Sequence, residues 1–158
     1  MLPTVYMLVG IPGSGKTSYA QKLAKEKVCP IISTDAIRNL HPDWDETLIW
    51  PETYRICAEI LSRGEDLIFD ATNTTPNVRK RFKEKLEPYK LSYQIAAYFF
   101  PTPWEICYER IEKRNKMAGE RYFPLDKVKS YADTIIAPSL DEGFIYIEEI
   151  SIDKQKEE

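Results

Sequence analysis

The sequence predicts an α/β fold: one domain in which a central parallel sheet of five strands carries helices on both faces. Three observations predict it. Short apolar, β-rich runs alternate with longer segments of helical period along the chain, which is the pattern of βαβ crossovers. The 158 residues suffice for one domain with one real core, and 43% hydrophobic with 30% charged residues is an ordinary globular mix. No repeat, low-complexity tract or linker interrupts the chain, so the expected units are one domain over 1–150 and a charged tail over 151–158.

Each element has its own signal. Thr4 to Val9 (TVYMLV) is β-rich and largely apolar, which fits a strand buried on both faces. Thr17 to Lys27 carries Tyr19, Ala20, Leu23 and Ala24 on one helical face. Pro30 to Ser33 reads as a short second strand. Pro51 suits a helix first turn, Ile56, Cys57, Ile60 and Leu61 form that helix's apolar stripe, and Gly64 stops it. Asp66 to Asp70 (DLIFD) is a third strand with an acid at its exit. Pro76 to Leu86 is a strongly basic helix, Leu91 to Phe100 a longer strand, and Pro103 to Lys116 a further helix. A loop with Gly119 leads to a helix from about Pro124 to Ile136. Phe144 to Ile150 is the last strand, and DKQKEE after it reads as a frayed end.

Bulk charge excludes some functions. A net charge of −3 and a pI near 5.4 do not provide the broad basic field of a general polyanion binder, although a small site with local arginines remains open. Cys29, Cys57 and Cys107 are odd in number, far apart and without a CxxC, which argues against a disulfide framework or zinc cluster and for thiols in a reducing cytoplasm. The opening MLPTVYMLVG reads as a strand and not a leader, and no apolar run nears the roughly 18 residues of a membrane span. Nothing in the pattern specifies a protein partner.

One motif carries the firmest chemical reading, against the plainer one of a Gly-rich turn. Gly10-Ile11-Pro12-Gly13-Ser14-Gly15-Lys16-Thr17 fits G-x-x-x-x-G-K-[ST] between a strand and a helix. Glycines let the chain curl so that backbone N–H groups form an anion nest, and the helix N-terminus adds its positive dipole end. Gly13, Ser14, Gly15, Lys16, Thr17 and Ser18 are the candidate ATP-binding residues. Lys16 reaches the β- and γ-phosphates, and the Thr17 hydroxyl ligates Mg²⁺.

Such a loop serves hydrolysis, switching and phosphoryl transfer alike. Asp35 and Arg38, three residues apart after the second strand, favour transfer to a hydroxyl, which needs a carboxylate to take its proton and gains from a cation that fixes the acceptor. A capped helix with a surface ion pair is the plainer reading of the same residues. The loop, Asp35 and Asp70 all follow strands, so all three should face the rim where open parallel sheets bind ligands.

GIPGSGKT, STDAIR, FDATN, a basic helix end containing RN, an Arg-bearing loop, then FP and a final helix together resemble the polynucleotide 5′-hydroxyl kinases, the P-loop kinase domains of phage and bacterial end-healing enzymes. The resemblance runs from Val5 to about Tyr146. It implies a single P-loop kinase domain with an Arg-bearing lid that moves the γ-phosphate of ATP, with Mg²⁺, to a 5′-hydroxyl of RNA or DNA. Asp35 would be the general base, Arg38 would hold the acceptor's phosphate, and a lid arginine would cover the transferring group. Where that arginine is expected, two residues past RNK, stands Ala118. Arg114 and Arg121 thus both stand as candidates for the catalytic arginine, with Arg121 favoured for the phosphoryl group and Arg114 for the nucleotide.

Asp70 is the candidate metal ligand beside Thr17, with Asp35 competing for that role. Thr72, Asn73 and Arg79 are candidate acceptor contacts, although Thr72 and Asn73 could equally cap the next helix. Trp44 and Trp50 offer stacking surfaces but suit core packing better, and His41 has no assigned role. Two other functions share this sequence. One is a small-molecule kinase acting on a sugar, nucleoside, antibiotic or nucleotide-sugar hydroxyl, and the other is an ATP-binding switch without transferase activity.

Overall fold

In β1 (Thr4–Val9) alternate residues serve opposite sides of the sheet, and none is exposed. Val5, Met7 and Val9 join one hydrophobic cluster, Tyr6 and Leu8 the other. Only a central strand needs apolar residues at every position, and β1 is central. The computed structural model describes residues 1–155, and its five strands run in the order β2-β3-β1-β4-β5, every pair parallel. The other strands are β2 (Ile31–Ser33), β3 (Leu67–Asp70), β4 (Gln94–Phe99) and β5 (Ile147–Glu149).

Helices cover both faces. α1 (Lys16–Lys27) buries Ala20 and Leu23 against the Tyr6 face. α3 (Glu46–Ser62) and α4 (Pro76–Leu86) pack Cys57, Leu61, Phe82 and Leu86 against the Val5 face. α5 (Trp104–Asn115) and α6 (Leu125–Thr134) close a third, smaller cluster of Ile11, Cys107, Ile111 and Val128. That cluster ties this pair to the loop after β1. Among the described residues no helix is long and apolar enough to cross a membrane.

Three expectations change. α3 begins at Glu46, where the Asp45 side chain accepts from Thr47 N at 2.9 Å, so Pro51 lies inside the helix and not at its first turn. The missing Pro51 N–H is outweighed by burial of Ile49, Thr53 and Tyr54 on either side of it. β5 is three residues long, shorter than the apolar run that predicts it. The tail is ordered as far as it is described: Ile152–Gln155 form the short helix α7, while 156–158 lie outside the described residues. The cysteines carry no disulfide, and burial pushes the Cys57 thiol up to about 12.

Candidate active site

Register builds the site. Ser33 pairs with Asp70 and Met7 with Phe69, so β1, β2 and β3 end on one rim. The loop leaves β1 at Gly10, whose N–H donates to Thr72 O at 3.0 Å. Gly13 and Gly15 sit at φ 82° and 101°, where a side chain is strained. A Cβ at Gly13 would stand 2.7 Å from the Cys107 carbonyl, so the loop also passes too close to α5 for any larger residue.

Lys16 opens α1, is buried, and donates to Ile11 O at 3.0 Å. Burial lowers its pKa, and the charge of Asp70 works against that shift. Thr17 Oγ1 donates to Asp70 Oδ2 at 3.1 Å. Burial raises the Asp70 pKa, while the Lys16 charge and the Thr17 hydrogen bond lower it. Two hard oxygen donors thus stand at one point beside the phosphate loop, a set that suits Mg²⁺. Among the described residues no cluster of three or more His, Cys, Asp or Glu could hold a metal, so phosphate oxygens and water would complete the shell. Ser18 is exposed next to Thr17.

α2 (Thr34–Leu40) starts where Ser33 Oγ accepts from Ala36 N at 3.0 Å. Ser33 is the cap, which leaves Asp35 in the first turn with 77% of its side chain exposed. Arg38 NH1 donates to Asp35 Oδ1 at 2.7 Å, and Arg121 NH1 lies 3.7 Å from the same oxygen. Asp35 therefore stands between two guanidinium groups, one on its own helix and one on the loop between α5 and α6. Asn115 shapes that loop: its Nδ2 donates to Phe123 O at 2.8 Å and its Oδ1 accepts from Phe123 N at 2.9 Å. Arg110 NH1 donates to Gly13 O at 3.0 Å, bracing α5 against the phosphate loop. Arg114, one turn on, is exposed, and its charge also lowers the Lys16 pKa.

Two predicted acceptor contacts belong to the framework instead. Asn73 is buried at φ 47°, with Nδ2 donating to Leu8 O at 2.8 Å. Arg79 is 2% exposed: its fork grips both oxygens of Glu142 at 2.7 and 3.0 Å, and NH1 donates to Asn73 O and Ile136 O. Arg79 turns inward, and four of its five N–H donors are taken by the fold. Thr72 remains partly exposed on the rim, and the cap of α4 is Thr75, not Thr72 or Asn73.

Three features escaped the sequence reading. Glu46 takes the Nε edge of Arg38 with both carboxylate oxygens, at 2.8 and 3.1 Å. His41 stacks on Trp44 with ring centres 3.7 Å apart, while Trp50 packs on Tyr54 at the core edge. Gln155 of the tail donates to Thr102 Oγ1 at 3.1 Å, and Thr102 donates on to Ser14 O of the loop at 2.7 Å. Asp45, a capping acid followed by Glu46 in the first turn, was an available signal that a helix starts at Glu46.

Known proteins are similar to this chain in sequence or in fold. "Toxin zeta" of Streptococcus agalactiae is 32% identical over 117 residues, 64% of this chain, and the chain spans 40% of that relative's length. Kti12 of Chaetomium thermophilum, solved in complex with ADP-AlF3, superposes with a TM-score of 0.75 at 14% identity over 96% of this chain and 90% of its own. A fungal RNA kinase superposes with a TM-score of 0.69 at 15% identity over 100% of this chain and 77% of its own. The AAA_33 family, an AAA domain, matches residues 5–138. With the phosphate loop, the five-stranded parallel sheet and the arginine-bearing helix pair in place, the chain belongs to that family and has the fold of a P-loop kinase.

Proposed function

We propose that this protein transfers the γ-phosphoryl group of ATP to a hydroxyl acceptor, and that the acceptor is a 5′-hydroxyl end of RNA or DNA. The observation that carries the reading is Asp35, exposed on the same rim as Lys16 and Thr17, with Arg38 at 2.7 Å and Arg121 at 3.7 Å. A carboxylate there takes the acceptor proton as the acceptor oxygen bonds to the γ-phosphorus. The bond from that phosphorus to the β–γ bridging oxygen breaks, and ADP leaves. Lys16 and Arg121 counter the charge on the moving group, and Arg114 holds the nucleotide. Thr17 and Asp70 would hold Mg²⁺, which when bound neutralises charge on the β- and γ-phosphates. Arg38, three residues from Asp35 and bonded to it, would hold a phosphate next to the reacting sugar, and the likeness to an RNA kinase supports a nucleic-acid acceptor. A cytoplasmic location belongs to the same reading.

One observation favours the second reading, a small hydroxyl acceptor: the Arg38 fork is filled by Glu46. A pure switch leaves Asp35 with no hydroxyl to serve.

The deciding experiment supplies Mg²⁺, γ-labelled ATP and a single-stranded oligonucleotide with a 5′-hydroxyl. Label on the 5′ end, reduced about 10²–10⁴-fold in Asp35→Ala with ADP affinity kept, is the expected result. Bound ATP without oligonucleotide labelling, alongside transfer to a nucleoside or sugar, would replace the first acceptor with the second.

A further inference from the structure

A guanidinium has five N–H donors, and on Arg38 four are engaged: two by Glu46 and one each by Asp35 and Thr34. The arginine best placed to receive an anionic acceptor already holds two carboxylates. It also forms one wall of a cavity of about 560 Å³, which His41, Trp44, Glu46, Ile49 and Arg121 help to line. Asp45 and Glu46 line it together with Arg38 and Arg121, so two acids balance its two arginines.

We propose that Glu46 is the selectivity-determining residue of the acceptor site, because its carboxylate competes with an acceptor's phosphate for the Arg38 fork. The proposal rests on reading Asp35 and Arg38 as the acceptor site. A carboxylate and a phosphate meet a guanidinium through the same pair of parallel N–H···O bonds. Glu46 therefore holds Arg38 in the orientation a phosphate would require while filling the place it would take. Glu46 stands at the first position of α3 with 60% of its side chain exposed, so it can swing into water when displaced. A neutral acceptor leaves the pair intact and is bound by the rest of the cavity, including the stacked His41–Trp44 rings. A phosphate-bearing acceptor must break the pair first, and its affinity is reduced accordingly.

Thymidine and thymidine 3′-monophosphate present the same 5′-hydroxyl and differ only in the phosphate. Glu46→Gln keeps size and an acceptor oxygen but removes the charge. The expected result is that the ratio of kcat/KM for the nucleotide over the nucleoside rises about tenfold in Glu46→Gln, and that this rise is absent in an Arg38→Ala background. A constant ratio, including an equal loss on both acceptors, would overturn the proposal and make Glu46 a brace for Arg38. If the wild-type protein phosphorylates neither compound, the acceptor reading itself has failed. Calorimetric binding of thymidine 3′-monophosphate to the ADP-bound protein then tests Glu46 alone. Binding about tenfold tighter in Glu46→Gln, dependent on Arg38, upholds the competition. Equal binding, or none in either protein, overturns it.

Discussion

Thr17 Oγ1 donates to Asp70 Oδ2 across 3.1 Å, joining the first turn of α1 to the last residue of β3. Among the described residues this bond joins the phosphate loop's hydroxyl directly to an acid at the strand rim, and it puts Asp70, not Asp35, beside Thr17. Burial raises the Asp70 pKa, against the pull of Lys16 and Thr17. Magnesium needs the ionised carboxylate, so protons compete with it. Because the folded pKa lies above the usual carboxylate value, competition begins at a higher pH than for an exposed aspartate. Magnesium affinity of the ADP-bound protein should be level above that pKa and fall about tenfold per pH unit below it. Titration calorimetry over about pH 4–8 measures this, with Asp70→Asn as the reference that removes the nucleotide's own titration. A midpoint no higher than that of an exposed aspartate would contradict the assignment.

Gly15 should tolerate no side chain. Its φ of 101° disfavours every L-residue, and a new Cβ would run into the Gln155 side chain. Gly15→Ala is expected to weaken ADP binding by about tenfold or more, from roughly 1–2 kcal/mol of backbone strain alone. Adding Gln155→Ala relieves the contact but not the strain, so calorimetry should find partial recovery. Full recovery would mean that the tail contact, and not the loop conformation, sets the cost.

The Arg79–Glu142 pair should matter to stability and not to acceptor binding. Arg79 is buried and Glu142 partly so, and removing the arginine leaves the carboxylate and two backbone carbonyls without their partner, a loss of about 1–3 kcal/mol. Arg79→Ala should therefore lower Tm sharply, while the acceptor KM of the folded fraction stays within about twofold. Burial pushes the Glu142 carboxyl up, but the Arg79 hydrogen bonds and the Ser139 N–H outweigh it and hold it below the usual range. Its contribution is thus complete above the unfolded pKa and is lost as pH falls through the folded one. Thermal melts of wild type and Arg79→Ala should converge on acidification, and a rise in acceptor KM would return Arg79 to the site.

Arg114 and Arg121 should separate kinetically. Arg121 meets Asp35, whereas Arg114 lies within electrostatic reach of Lys16. Arg121→Ala is expected to lose about 10²–10³-fold in kcat with ADP affinity nearly intact, and Arg114→Ala to lose mainly ADP affinity. Steady-state rates and calorimetry on both variants decide it, and the opposite pattern would exchange their roles.

Much of this was legible in the chain because it is local. Gly10–Thr17 reads as a phosphate loop since its strand, its curl and its helix N-terminus are set by contiguous residues. TVYMLV reads as a central strand since burial on both faces favours a mostly apolar, β-prone run. Asp35 and Arg38 meet because one helical turn separates them. What the chain did not reveal depends on partners far along it. Asn73 bonds to Leu8, 65 residues away, and Arg79 to Glu142, 63 away. Their polarity suggested a site, but only packing shows them turned into the fold. Glu46 was hidden by Pro51, which suits a helix start so well that the true start five residues earlier went unread. Gln155, in a tail with no pattern of its own, gains its place from the loop it touches. Sequence by itself determined the strand–helix alternation, the phosphate loop and the acid–base pair after β2, all products of short-range geometry. Tertiary structure alone decided which polar side chains face the rim and which are spent within the fold, because that direction is set by close packing of distant segments.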